Sequence, residues 1–514
     1  MTATSRTTTI AVPVADDQPV LCPRDFGAIT RTACFNSAAA AATALAGVVI
    51  ARTVGPAVRG EYAAIIAWFS ALLLFGELGQ SAAVCFQVAS DPGQARGYVA
   101  TSRAMMIVTG AGALSGGLFA APALAHGDAS LAGAYRIVFS GAIVAFTGAS
   151  YTYALQAASM PRWNLVRVSQ PALALTIVIG LGLTHLLTLD AAIGAVLASL
   201  ACQLGFAYYW CRRCGLAPGR ARARLAAPLA RVGLAQLGAI TPSAVNSCLD
   251  QLVLSQLVSP ADLGRYAVAV SATMVPVPLV SAIGNVAFPR LAARRGRPAG
   301  DSRVPLAAAA AGAGIATAVL LPIAASASWL IPAVFGPAYR GAVPLLWILT
   351  PGGIFLACGQ VTGDLLRGLG RPGLVAAAQG LTAGGAVILL VALLPLAGVA
   401  AAAIASTLGY GTALALMIRW LRRPPAGPTR RRRSPGRHIR KRPRARPQAL
   451  PAHRGQRLPQ DRRRRADLRQ GGGAVAEDQP LDGDRAGEVA VKGGDRHAPP
   501  QCLGGHLADG RSRR

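Results

Sequence analysis

The chain has 514 residues, of which 53% are hydrophobic and 14% charged, with a formal net charge of +30 and a mean hydropathy of +0.43. A soluble domain is about half apolar and about a quarter charged, so the low charge excludes an ordinary soluble enzyme or binding module. The charge divides unevenly: Met1 to Trp420 carries 26 Arg, no Lys and 12 acids, and the last 94 residues carry 25 Lys and Arg with 9 acids.

In chain order, a polar tail (1–31) precedes a first apolar run over 32–51. Ala44-Leu45-Ala46 looks like a leader cleavage site, but the run continues through Ile50, so a retained first helix is expected. A turn follows, VGPAVRGEYA from Val54 to Ala63, in which Gly55-Pro56 is expected to end one helix, Gly60 to let the chain reverse and Tyr62 to sit at the lipid interface. Further runs lie at 62–88, 98–121, 133–158, 164–187 and 191–211, followed by a basic linker over 212–230. The remaining runs are 231–257, 264–290, 304–330, 341–367, 373–394 and 397–420. Each is about the 20 residues a spanning helix needs. Many are rich in Ala and Gly, which suit close helix packing in lipid. The expected fold is therefore all-α and integral to the membrane, with about twelve spans.

Arginine placement predicts the orientation. With twelve spans, twenty Arg fall on one side, in the N-terminal tail and the loops 89–103, 159–167, 212–231, 290–303 and 367–371. Five fall on the other: Arg52, Arg59, Arg136, Arg265 and Arg340. Both termini are expected in the cytoplasm, in a multi-pass protein of the plasma membrane. Residues 421–514 are rich in Arg, Pro and Gly, with RRRR at 430–433 and 462–465, and read as a disordered basic tail. The tail suits anionic membrane lipids. No aromatic residue interleaves its Arg, so nucleic acid is not an expected partner. A spurious extension by a slip of reading frame is an equal reading of the tail.

The turn returns as VSPADLGRYA, Val258 to Ala267, with six of ten positions matching, among them Pro56/Pro260, Gly60/Gly264 and Tyr62/Tyr266. The copies lie 204 residues apart, each between the first and second runs of a set of six. That interval predicts two six-helix bundles, 32–211 and 231–420, related by a parallel pseudo-repeat.

These residues carry a family resemblance. Ala51-Arg-Thr-Val-Gly-Pro-Ala-Val-Arg-Gly-Glu-Tyr62 resembles the turn of bacterial polysaccharide-repeat (O-antigen type) flippases of the multidrug/oligosaccharidyl-lipid/polysaccharide exporter superfamily. Phe75-Gly-Glu-Leu-Gly79, Asp250 through Tyr266, Phe288-Pro-Arg-Leu291, Phe335-Gly-Pro-Ala-Tyr339 and Leu366-Arg-Gly-Leu-Gly-Arg371 resemble further steps of that family in order, over roughly residues 28–421. The absence of Lys from the apolar part and the long basic tail depart from its pattern. The resemblance implies a V-shaped pair of bundles around a central cavity. It also implies a non-enzymatic transporter that flips a lipid-linked oligosaccharide or polysaccharide repeat unit to the outer leaflet, alongside polysaccharide polymerase and glycosyltransferases.

An ionisable group inside a membrane is a functional candidate by default. Glu77, Asp250 with Asn246 one turn earlier, and Asp364 are candidate ion-coupling or cavity residues, for a proton or sodium gradient; a structural polar clamp is the alternative at each. Glu77 is expected about 22 Å down the second helix, at 1.5 Å per residue, and Asp364 can pair with Arg367. Arg matches phosphate geometry, so Arg52, Arg59, Arg103, Arg167, Arg231, Arg265 and Arg367 are candidate contacts to a substrate phosphate; the alternative is that most snorkel or set topology. Pro242, Pro276, Pro278, Pro322 and Pro351 fall inside helices 7 to 10 and are candidate hinges. No comparable interior proline is expected in helices 1 to 6, where Pro171 reads as early in helix 5.

No catalytic residue, metal site or bound cofactor is expected. Cys211-Arg-Arg-Cys214 lacks a second pair or a nearby His, and His126 and His185 are isolated. A multidrug/cation antiporter of the same superfamily is the alternative function. A membrane polysaccharide polymerase or ligase, the alternative of another class, needs a large outer loop that the spacing does not provide.

Overall fold

The computed structural model describes residues 23–217, 219–281, 283–284, 303–369 and 371–422. Secondary structure among them is helical throughout: α1 (Pro23–Gly76), α2 (Gln80–Ser90), α3 (Ala95–Leu124), α4 (Ala129–Ala158), α5 (Met160–Leu183), α6 (Leu189–Arg213), α7 (Ala223–Leu257) and α8 (Pro260–Thr273), then α9 (Arg303–Ala325), α10 (Ala327–Phe335), α11 (Ala342–Gly368), α12 (Pro372–Ala397) and α13 (Ala400–Arg422). The residues before Pro23, the Phe288–Leu291 stretch and the tail beyond Arg422 lie outside the described residues.

Among the described residues nine helical stretches are long and apolar enough to cross a membrane. The protein is a multi-pass membrane protein. The first stretch, Thr30–Gly76, has 47 residues. At about 1.5 Å per residue it is roughly 70 Å long, twice a bilayer core. Gly55, at φ 77 and ψ 178, divides it, and Pro56 opens the second part. The runs expected at 32–51 and 62–88 therefore share α1, with α2 completing the second. The runs expected at 231–257 and 264–290 are not among the nine. α7 carries Gln236, Thr241, Asn246, Asp250 and Gln251, and the helix beginning at Pro260 is interrupted at 274–276.

Helices α1 and α3 to α6 pack on one another, as do α9 and α11 to α13. Large side chains such as Phe69, Tyr135, Phe139 and Phe146 fill the first core. Leu254, Tyr266, Tyr339 and Leu346 fill part of the second. The two sets meet at the repeated turns. A Cβ on Gly60 would overlap the Pro260 carbonyl, and one on Gly264 would overlap the Pro56 carbonyl. Each copy thus presents its glycine to the other copy's proline, as an approximate twofold axis between parallel repeats requires. Gly60 lies inside α1, so it does not reverse the chain as expected. Gly55 makes the break, and Gly60 permits the helix crossing.

This seam has further links. Trp68 Nε1 donates to Ser255 Oγ at 2.9 Å, and Tyr339 Oη donates to the Ala51 carbonyl at 3.1 Å. Burial pushes the Tyr339 phenol up to about 12, which keeps it a neutral donor. Tyr62 is half-buried under Arg59, whose guanidinium lies 5.6 Å from its ring.

α7 joins both sets. At its start the Arg222 amide donates to Thr101 Oγ1 at 3.0 Å. A Cβ on Gly233 would come within 2.6 Å of the Leu78 carbonyl. Beyond Pro242 it turns to the second set, where Asn246 Nδ2 donates to Gln379 Oε1 at 2.7 Å. The helix begins at Ala223, inside the stretch expected as linker.

The prolines are distributed differently from expectation. Pro171 sits mid-helix in α5, because that helix begins at Met160, and Pro56 and Pro122 lie within α1 and α3. Pro276 falls on the turn at 274–276, not inside a helix, and Pro278 in the short helical stretch after it. Pro242, Pro322 and Pro351 are inside α7, α9 and α11.

Candidate transport site

The first constellation forms where the second run breaks. Leu78 at φ 50 and Gly79 at φ 68 are left-handed, a conformation cheap for glycine and unusual for leucine. Gly79 also lies where a Cβ would overlap the Gly233 carbonyl of α7. Glu77 stands at this break, not on an uninterrupted helix as expected. Its Oε1 accepts from the Ser81 amide at 3.0 Å, satisfying one of the amides a helix start leaves free. Gln80 and Ser81 are buried, and Gln80 Oε1 has no hydrogen-bond partner among the described residues, while the Ser81 hydroxyl lies beside the Tyr153 phenol. Tyr153 on α4 lies within electrostatic reach of both Glu77 and Arg167. Arg167 Nη1 donates to Asn36 Oδ1 at 2.9 Å, and its guanidinium lies 4.5 Å from the Trp163 ring. Beside it, Asn164 Nδ2 donates to Thr32 Oγ1 at 2.9 Å.

The second constellation surrounds Asp250, which is 9% exposed. Tyr266 Oη donates to its Oδ2, Ser406 Oγ donates to the same oxygen at 3.3 Å, and the Gln251 amide donates to Oδ1 at 2.8 Å. A buried carboxylate is tolerated only with such partners. Asn246, Asp250, Ser406 and Tyr410 line a small cavity with Leu249 and Leu390. Asp364 belongs to neither constellation: it pairs with Arg367 at 2.9 Å, and a Cβ on Gly284 would overlap its carboxylate.

The seven candidate arginines separate by surroundings. Arg52 and Arg231 are exposed. Arg265 pairs with Asp262 at 2.8 Å, and Arg367 with Asp364. Arg103 donates to Tyr151 Oη at 3.2 Å, and Arg167 to Asn36. Arg59 is 9% exposed, and its Nε has no hydrogen-bond partner among the described residues.

Asn36, Tyr153, Gln379, Ser406 and Tyr410 were not distinguished by sequence, because neutral polar residues carry no motif. Asn36 and Gln379, amides inside apolar runs, offered the only signal. The sequence singles out Tyr266 as a repeat position but not its bond to Asp250.

The family described as polysaccharide biosynthesis protein matches residues 30–294. No curated protein matches the chain. Among solved structures, an inward-facing multidrug resistance MATE family transporter of the MOP superfamily aligns with a TM-score of 0.61 and 16% identity, covering 74% of this chain and 94% of that one. A MOP superfamily transporter from Pyrococcus furiosus aligns at 0.57 and 16%, covering 77% and 94%. The lipid II flippase MurJ in an inward closed conformation aligns at 0.62 and 10%, covering 77% and 87%. Identities this low speak for the fold alone, which the chain shares with these membrane proteins. With the sequence match spanning more than half of its length, the chain belongs to the polysaccharide biosynthesis protein family.

Proposed function

We propose that the protein flips a lipid-linked oligosaccharide or polysaccharide repeat unit from the cytoplasmic to the outer leaflet of the plasma membrane by alternating access, with both termini cytoplasmic. The observation that carries this reading is membership of a polysaccharide biosynthesis family on a fold shared with the lipid II flippase MurJ. The arginines support it: Arg59, Arg103 and Arg167 have no carboxylate partner among the described residues, so their charge is available to a substrate phosphate. Arg52, Arg231, Arg265 and Arg367 are the weaker members of that set, being exposed or already paired. Glu77 at the helix break, Asp250 with Asn246, and Asp364 are the coupling groups, driven by a proton or sodium gradient. Pro242, Pro322 and Pro351, with Pro276 and Pro278 beside α8, are the flexing points. Polysaccharide polymerase and glycosyltransferases act after and before it.

Gene deletion tests the reading. Loss of surface polysaccharide with accumulation of its lipid-linked intermediate is expected. The second reading, a multidrug/cation antiporter, is favoured by the MATE proteins among the similar structures. Under that reading deletion leaves the polysaccharide intact and raises sensitivity to cationic drugs.

A further inference from the structure

The end of α6 opposite the glycine turns gathers three of the chain's cation–aromatic contacts. Arg212 lies 5.9 Å from the Tyr208 ring, Arg213 lies 5.4 Å from Tyr209, and Arg162, from the start of α5, lies 5.1 Å from Trp210. The Tyr209 and Trp210 rings meet at 5.4 Å, edge to face, and Tyr208 meets Tyr151 of α4 at 5.5 Å. At about 100° per residue, positions 208 to 210 sweep about half of the helix circumference. The three guanidiniums therefore form an arc around one helix end. None of them meets a carboxylate among the described residues, and Arg162 donates only to Cys214 Sγ, at 2.8 Å.

Structural ion pairing does not explain such an arrangement. A guanidinium drawn to a ring face keeps N–H groups free for a planar or tetrahedral oxyanion. Below the arginines, Tyr208 is 39% and Tyr209 46% exposed on a helix apolar enough to span a membrane. Tyrosine in that position suits the boundary between headgroups and acyl chains. A soluble anion would use the arginines and leave the tyrosines uncovered. A phospholipid uses both, with its phosphate on the guanidiniums and its chains along the rings.

We propose that this arc is a binding site for the phosphate headgroup of an anionic glycerophospholipid, separate from the two transport constellations. Occupancy ties α5 to α6 at the membrane surface through Arg162 and Arg213, and so stiffens the first six-helix set.

The test uses the full chain, purified in detergent and mixed with phosphatidylglycerol, phosphatidylcholine or inorganic phosphate, with native mass spectrometry reading bound lipid and thermal melting reading stability. Retention of phosphatidylglycerol over phosphatidylcholine is expected, with little competition from inorganic phosphate. Arg212→Gln with Arg213→Gln is expected to weaken retention about ten- to thirtyfold, at about 1 kcal/mol per arginine. Arg212→Lys with Arg213→Lys keeps the charge and loses the planar donor fork that matches a phosphate, and retention is expected to fall several-fold. Arg220→Gln, a charge removed outside the arc, is the control and is expected to leave retention unchanged. Equal retention of the two lipids would overturn the proposal. Full retention in the lysine pair, displacement by inorganic phosphate, or a loss in Arg220→Gln as large as in the glutamine pair would do the same.

Discussion

Gly60 and Gly264 face one another's turns across the seam between the two helix sets, each lying where a side chain would overlap the other turn's proline carbonyl. The repeated motif is thus a contact, made twice by symmetry, and its glycines are there for proximity. Gly60→Ala or Gly264→Ala must push two backbones apart. Each is expected to destabilise the purified protein by about 1–3 kcal/mol, the cost of overpacking. The double variant should cost less than the sum, because both act on one contact. Gly112→Ala, which meets no neighbour within 4 Å, should leave the melting temperature unchanged or raise it slightly. Thermal melting in detergent measures all four.

Tyr266 and Asp250 form the buried bond of the second constellation. Tyr266→Phe leaves one carboxylate oxygen with only Ser406 as its side-chain donor, and should cost about 1.5–3 kcal/mol, as for other hydrogen bonds to charged groups. Asp250→Asn removes the charge and keeps the shape. If Asp250 couples transport, that variant folds and loses dependence on the ion gradient. Flipping in reconstituted vesicles with and without an imposed gradient reads the difference.

Glu77 caps the helix restarted after the break. Glu77→Gln keeps an oxygen that can accept from the Ser81 amide and should be stable. Glu77→Ala loses the cap and should cost about 1 kcal/mol. A coupling role predicts that both variants lose gradient-driven transport. A purely structural role predicts that only Glu77→Ala is impaired. Gly79→Ala should be worse than either, since it combines a left-handed backbone with the Gly233 carbonyl.

Arginines without acid partners should matter more to an anionic substrate than those already paired. Arg167→Gln and Arg103→Gln are expected to lower export of lipid-linked saccharide about tenfold or more, on the scale of one lost charge-assisted hydrogen bond. Arg265→Gln and Arg367→Gln are expected to lower it less, because Asp262 and Asp364 already engage those side chains. Intermediate accumulated per cell, in strains expressing equal protein, is the measurement.

Much of the architecture was legible because its signals are long-range and redundant. Twenty-residue apolar runs, alternating arginine and a motif repeated after 204 residues all bear on the same plan. The break at Glu77 is not legible: Gly76 and Gly79 flank it, but glycine is frequent in these helices, and what distinguishes Gly79 from Gly110 or Gly116 is its left-handed backbone and the crossing by α7. The docking of α7 on both sets was hidden for a similar reason. The Thr101 hydroxyl accepts the Arg222 amide, and Gly219 and Gly233 make backbone approaches, none of which a sequence pattern encodes. Pro171 lies deeper in its helix than the sequence suggests, because Met160 opens α5 ahead of the apolar run at 164–187. Asp250 was visible as an acid in an apolar run, whereas Tyr266, Ser406 and Gln379, which complete its surroundings, come from three other helices.

The central claim is outward flipping of a lipid-linked saccharide, and the most direct measurement is the sidedness of that intermediate in cells lacking the gene. The account predicts that the intermediate accumulates on the cytoplasmic leaflet, that surface polysaccharide is lost, and that the wild-type chain restores both. Unchanged polysaccharide, with the intermediate still reaching the outer leaflet, would contradict it.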